Sequence, residues 1–229
     1  MRWVMWPREA TEAMTQIDIW AASPVNQAAI LLCLILAVFT LRQFAIILPY
    51  LTEGMIRWKR LSEIESNMRL ARERDMLILP SFVICIVALS AMGMLQPPST
   101  ESFGEGMKTA CTIGIMTGFL AIRGIMILIT PSGKGGRDVC RTANRALFDF
   151  GILTSLAYLL ILLIFYKSGD YTIIARKVAY YATGFMWLLF LFRKSQILRS
   201  ADNLFHTILY LCAVELLPAG LLVASIVYL

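Results

Sequence analysis

Apolar runs long enough to cross a bilayer recur six times along this chain, at roughly 26–48, 76–95, 108–130, 147–166, 173–192 and 206–228. A helix rises about 1.5 Å per residue, so about 20 apolar residues match about 30 Å of hydrocarbon. Lipid offers no partner to a bare N–H or C=O, so each run is expected to be a helix that closes its own hydrogen bonds. The fold class that follows is all-α: a polytopic membrane protein built as a bundle of six transmembrane helices. Of the 229 residues 59% are hydrophobic, and the excess lies in blocks, which argues against one water-soluble core. Residues 26–229 form one transmembrane domain on this reading. Residues 1–25 hold Trp3, Trp6 and Trp20 among scattered charges and read as an amphipathic segment lying on the outer side. They do not read as a signal peptide, because Pro7, Arg8, Glu9, Glu12 and Asp18 interrupt any apolar core.

Charge sets the orientation. Arg57, Lys59, Arg60, Arg69, Arg72 and Arg74 fill the first gap between runs. Lys134, Arg137, Arg141 and Arg145 fill the third, and Arg193, Lys194 and Arg199 the fifth. These thirteen basic residues face six on the other side, namely Arg2, Arg8, Lys108, Lys167, Arg176 and Lys177. The bias places the first set in the cytoplasm and both termini outside. The gap around Lys167 to Lys177 fits this scheme least well. The formal net charge of +6 is explained by orientation and anionic headgroups, and a nucleic-acid partner is not implied. The segment 51–75 is a basic cytoplasmic arm. In it Leu61, Ile64, Met68 and Ala71 recur at helical steps. Arg57, Lys59, Arg60, Arg69, Arg72, Lys134 and Arg137 are the residues expected to touch a protein partner or lipid headgroups.

Three ionisable residues stand inside apolar runs: Arg42, Arg123 and Glu215. A charge in hydrocarbon is costly and normally faces protein or water. Arg42 and Arg123 lie within two turns of the cytoplasmic ends of their runs and can snorkel. Glu215 lies nine residues beyond His206, about 13 Å up its helix, and is expected to face the bundle interior. A buried pair with Arg123 or Arg42 follows as a hypothesis. Pro218 lacks an N–H, so the Val214 carbonyl loses its helical partner and the helix should break beside Glu215. Arg42, Arg123, Glu215 and Pro218 thus form a candidate buried polar site.

A second cluster lies at the cytoplasmic face. Arg199, Asn203, His206 and Tyr210 follow helical steps, with Asp202 placed to orient His206. This reads as the polar start of a helix, or as a pH-sensing or substrate contact. One histidine cannot supply two axial haem ligands, and Cys33, Cys85, Cys111, Cys140 and Cys212 show no metal spacing, so neither cofactor nor metal is implied. Residues 131–136 are glycine-rich but lack the phosphate-loop spacing. Arg145 and Asp149 are a helix-spaced pair, and Gly114 and Gly118 suggest close helix packing.

The stretch 205–218 carries Phe205, Ile208, Leu209, Tyr210, Cys212, Glu215 and Pro218 in an F-x-x-I-L-Y-x-C-x-x-E-x-x-P arrangement. It resembles the tail of an uncharacterised family of six-span inner-membrane proteins of Bacteroidota. The resemblance implies a bacterial inner-membrane location and raises Glu215 and Pro218 as key residues. It implies no reaction.

Three functions remain. The short loops and sparse catalytic equipment favour a protein-interaction or assembly subunit of an envelope complex, with membrane lipids and a protein as partners. The alternative is a small proton-coupled transporter or channel using Glu215. The third is a lipid-binding or lipid-modifying enzyme using His206 and Asp202, although no H-E-x-x-H or G-x-S-x-G is present.

Overall fold

The computed structural model describes residues 23–57, 63, 65–95, 104–129, 137–165, 172–200 and 204–228. They form α1 (Pro24–Ile56), α2 (Met68–Ala91), α3 (Glu105–Ile129), α4 (Arg137–Phe165), α5 (Thr172–Arg199), α6 (Leu204–Leu211) and α7 (Leu217–Tyr228). A π-helical turn, Cys212–Leu216, joins the last two into one bulged helix. The fold is all-α among the described residues. Five helices are long and apolar enough to cross a membrane. They are α1, α2, α3, residues 141–164 of α4, and residues 207–224 of the bulged helix. α5 is not among them, because Arg176, Lys177, Arg193, Lys194 and Arg199 dilute its apolar stretch.

The helices outrun their apolar cores. α1 continues through Pro49 to Ile56, where the sequence suggested a stop. Thr52 closes the region by donating to the carbonyls of Leu48 and Pro49, at 3.0 and 2.9 Å. The start of α2 is fixed by Asn67, whose side chain accepts from the backbone N–H groups of Arg69 and Leu70. The basic arm is therefore not one uninterrupted helix: its ends belong to α1 and α2. α2 stops at Gly93, which takes a φ of 62° open to few other residues. The N–H of Gly93 bonds to the Ser90 carbonyl and that of Met94 to the Leu89 carbonyl, closing a Schellman turn.

α4 and α5 form an antiparallel hairpin. Tyr158 meets Thr183, the rings of Phe150 and Phe190 stack edge-on at 5.9 Å, and Lys194 reaches Asn144. As the residue number falls along one helix it rises along the other, so the two run antiparallel along their length. α2 packs on the other side of α4, and α1 and α3 pack outside α2. In α2 61% of the apolar window is buried, against 17% in α1 and 11% in α3, which marks α2 as the inner helix. On α1, Leu31, Leu34, Val38, Phe39 and Leu41 are exposed. In water such a surface would be unstable, whereas hydrocarbon is a fitting neighbour.

The bundle has two chemically different ends. At one, Glu65 pairs with Arg145, and Arg193 donates to the carbonyls of Met55 and Ile56 at 2.8 and 2.9 Å, capping α1. At the other, Thr109 bonds to Asn26 and Ser90, both at 2.7 Å, and Tyr180 donates to the Met94 carbonyl. The ends of α1, α3 and α5 and the starts of α2, α4 and α6 lie at the first end. Two apolar cores follow the same division. Ile47, Leu51, Leu77, Phe150, Phe190 and Ile197 pack near the charged end, and Cys85, Ala88, Leu89, Tyr158 and Ala179 near the other. Among the described residues Gly114, Gly118 and Gly124 mark no close helix contact, since a Cβ at any of them would meet nothing within 4 Å.

Candidate functional site

The apolar face of α5 contains one cation. Phe190, Lys194, Ile197 and Leu198 lie at steps of four, seven and eight residues, and all four are buried. Lys194 is 0% exposed and Glu215, on the π turn, is 1% exposed. Lys194 Nζ donates to Glu215 Oε1 at 2.5 Å. From α3, Arg123 brings a guanidinium to the same carboxylate, with Nη2 donating to Oε1 at 2.8 Å and Nε to both oxygens at 3.1 and 3.2 Å. α4 contributes Asn144. Its side-chain oxygen accepts from Lys194 Nζ and from Tyr210 Oη, each at 3.0 Å, and its carbonyl accepts from Arg123 Nη2 at 3.2 Å. The rings of Tyr210 and Phe190 lie 5.1 and 5.9 Å from the ammonium. One carboxylate thus ties together α3, α5 and the last helix, with α4 as backing.

Local winding helps aim Glu215. The Leu217 N–H reaches back five residues to the Cys212 carbonyl, one more than in an α-helix. Pro218 follows directly and is buried. Its missing N–H and its ring disfavour regular winding one turn earlier, and the wider turn relieves that crowding. The break expected beside Glu215 takes the form of a π bulge.

Arg123 and Glu215 stand together. Arg42 does not join them: it is exposed on α1. At its position a guanidinium can reach along the lipid-facing surface, so burial is not required. Lys194 reads in the sequence as one of a loop pair with Arg193, yet α5 runs on to Arg199 and carries it inside. Neighbouring residues differ by about 100° on a helix, so Arg193 turns to α1 and Lys194 to Glu215. The signal was present, since Lys194 sits on the same face as Phe190 and Ile197.

The cytoplasmic-face cluster divides. Tyr210 belongs to the buried centre through Asn144, and Arg199 is exposed. Asp202, Asn203 and the side chain of His206 lie outside the described residues, as do Lys59, Arg60, Lys134 and the side chain of Arg137. Arg57, Arg69 and Arg72 are exposed at the charged end.

A second charged network sits across α4. Arg74, 1% exposed, binds Glu65 Oε1, donates to Asp75 Oδ1 at 3.1 and 2.8 Å through Nε and Nη2, and lies 3.7 Å from Asp149. Arg145 takes the other Glu65 oxygen at 2.8 Å. The helix-spaced Arg145–Asp149 pair is therefore split between partners on neighbouring segments. Asn144 and Arg145 are adjacent, so α4 serves one network from each face.

The family described as a domain of unknown function, DUF4271, matches residues 27–226. The chain belongs to the DUF4271 family. The match takes in all of both charged networks. No curated protein and no solved structure matches the chain. Among the described residues no group of three or more His, Cys, Asp or Glu could hold a metal ion.

Proposed function

We propose that this DUF4271 protein is a small proton-linked transporter whose working centre is Glu215 with Arg123 and Lys194. One observation carries the reading: a single buried carboxylate holds a guanidinium and an ammonium from two other helices at a π-wound, Pro218-limited segment. As simple glue this is an expensive choice. Apolar side chains of similar volume usually hold buried positions as well or better. A site in which protonation changes the pairing has a use for the expense. Adding a proton to Glu215 converts it to a neutral acid and weakens its ion pairs to both cations at once. That loosens α3 and α5 from the last helix, which is how proton entry would couple to movement.

In this reading α5 crosses the bilayer with the five apolar helices, for six spans. The charged end faces the cytoplasm of a bacterial cell, in the inner membrane, by the excess of basic residues there. An assembly-subunit role rested on short loops and sparse catalytic equipment, with the basic arm among its contact surfaces. Part of that arm is occupied within the chain, because Glu65 binds Arg74 and Arg145. The lipid-enzyme reading rested on His206 with Asp202, and Asp202 and the His206 side chain lie outside the described residues.

The test is proton flux in proteoliposomes loaded with a pH-sensitive dye, under an imposed pH gradient and membrane potential. The native chain should carry flux above empty vesicles, and Glu215→Gln should lose at least nine-tenths of it. Flux equal in the two proteins, or absent from a folded native chain across candidate co-substrates, rejects the reading.

A further inference from the structure

A cavity of about 650 Å³ opens at the charged end between the first turns of α2 and α4. Its charged lining is Glu65, Arg72, Asp75, Arg141 and Arg145. The spacing explains the lining. Met68 and Arg72 are one turn apart on α2, as are Ala71 and Asp75, and Arg141 and Arg145 are one turn apart on α4. The acids on this wall are already engaged. Glu65 gives one oxygen to Arg74 and the other to Arg145, and Asp75 is held by Arg74 from behind. Arg72 and Arg141 are different. Both are exposed, and among the described residues neither makes an ion pair or a side-chain hydrogen bond. Two guanidiniums from separate helices therefore line one cavity with no ion pair of their own among the described residues.

The level of the cavity narrows its occupant. It spans the first two turns of α2, next to the apolar stretch that begins near Met76. Met68 and Met76 line its wall and are 88% and 45% exposed. Flexible apolar side chains beside guanidiniums suit a ligand with a phosphate and a greasy neighbour.

We propose that this cavity binds a phosphate group between Arg72 and Arg141, with a planar guanidinium reaching the oxygens from each helix. The shared chemistry is that of a phospholipid headgroup or a soluble phosphate, and the site is separate from the Glu215 centre. Arg145, pinned by Glu65, adds a fixed positive wall. Buried Arg74 holds one oxygen of each acid, Glu65 Oε1 and Asp75 Oδ1.

Delipidated full-length protein in a neutral detergent tests this with two probes. Phosphatidylglycerol adducts are counted by native mass spectrometry, and inorganic phosphate uptake is measured by equilibrium dialysis. The native chain should bind at least one probe, and Arg72→Gln with Arg141→Gln should weaken that binding at least ten-fold. Arg176→Gln with Lys177→Gln removes the same charge outside the cavity and should change binding less than three-fold. All four side chains are exposed, so both variants should keep the native circular dichroism and elution volume. Binding of lipid alone identifies the site as a headgroup pocket, and binding of phosphate alone identifies a soluble ligand. Binding of neither probe, or equal losses in the two variants, overturns the proposal.

Discussion

Glu215→Gln is the most informative single change in this chain. The carboxylate accepts from Arg123 Nε and Nη2 and from Lys194 Nζ, and those two residues are 3% and 0% exposed. Glutamine keeps the shape and one acceptor oxygen but removes the charge. Two buried cations then share no counter-ion in their immediate contact, and breaking a buried pair from one side costs about 3–5 kcal/mol. Retained hydrogen bonding to the amide oxygen pulls the loss toward the lower figure. Asn144 softens it little, since its side-chain oxygen already accepts from both Lys194 and Tyr210.

The matched control is the apolar triple variant Arg123→Met, Lys194→Met and Glu215→Leu. It removes every charge of the centre and leaves Tyr210 bonded to Asn144. Replacing a complete buried ionic group by apolar residues is commonly neutral, or stabilising by about 1–4 kcal/mol. The expected order of stability in mixed-micelle denaturant titrations is therefore triple at or above native, and native above Glu215→Gln. Both variants should fail in the flux assay. A single variant within about 1 kcal/mol of native would mean that water reaches the cations and that the pairing is not the buried one described. A triple variant that still carries protons would remove Glu215 from the mechanism altogether.

Other consequences can be checked independently. With the five native cysteines replaced, Gly104→Cys should react with a membrane-impermeant maleimide in intact cells and Ser200→Cys only after permeabilisation. Labelling of both from one side would refute the two-ended arrangement. Arg193→Ala frees the Met55 and Ile56 carbonyls at the end of α1, and should cost about 1.5–3 kcal/mol in the same titration. Asn26→Ala withdraws the acceptor of Thr109 at the far end, and should cost about 1–3 kcal/mol with no change in proton flux. An equal loss of flux there would spread the working site across the whole bundle.

Much of the architecture was readable because lipid leaves so few options. Every apolar run coincides with the core of a described helix, since a chain in hydrocarbon must close its hydrogen bonds locally. The ends were less readable. α2 and α4 begin eight and ten residues before their apolar runs because Asn67 caps one and because charged helical turns extend beyond the hydrocarbon. The centre was half legible. Glu215 announces itself by standing alone in an apolar run. Lys194 hides, because it follows Arg193 and its side chain takes its meaning from helix phase. Asn144 was invisible in its role, because an amide just outside an apolar run has no reason to be singled out until α5 is laid against it.

The position of the charges bears on how such a bundle could move. Arg123 lies six residues before the end of α3 and Lys194 five before the end of α5. At about 1.5 Å per residue both are about 8–9 Å inside the charged end. The charged groups that hold α3 and α5 to the last helix are thus gathered at one level. A loss of charge at Glu215 would act near that end and leave the Asn26–Thr109–Ser90 clasp in place at the other. For α3, which the clasp holds to α1 and α2, the geometry therefore favours a splaying motion hinged at the far end over a sliding one. It requires the π turn, rather than the straight part of α7, to take up the change in backbone angle, since the turn already departs from regular winding. Straightening it by Pro218→Ala should accordingly stabilise the closed bundle and slow flux, and faster flux in that variant would rule out the turn as the hinge.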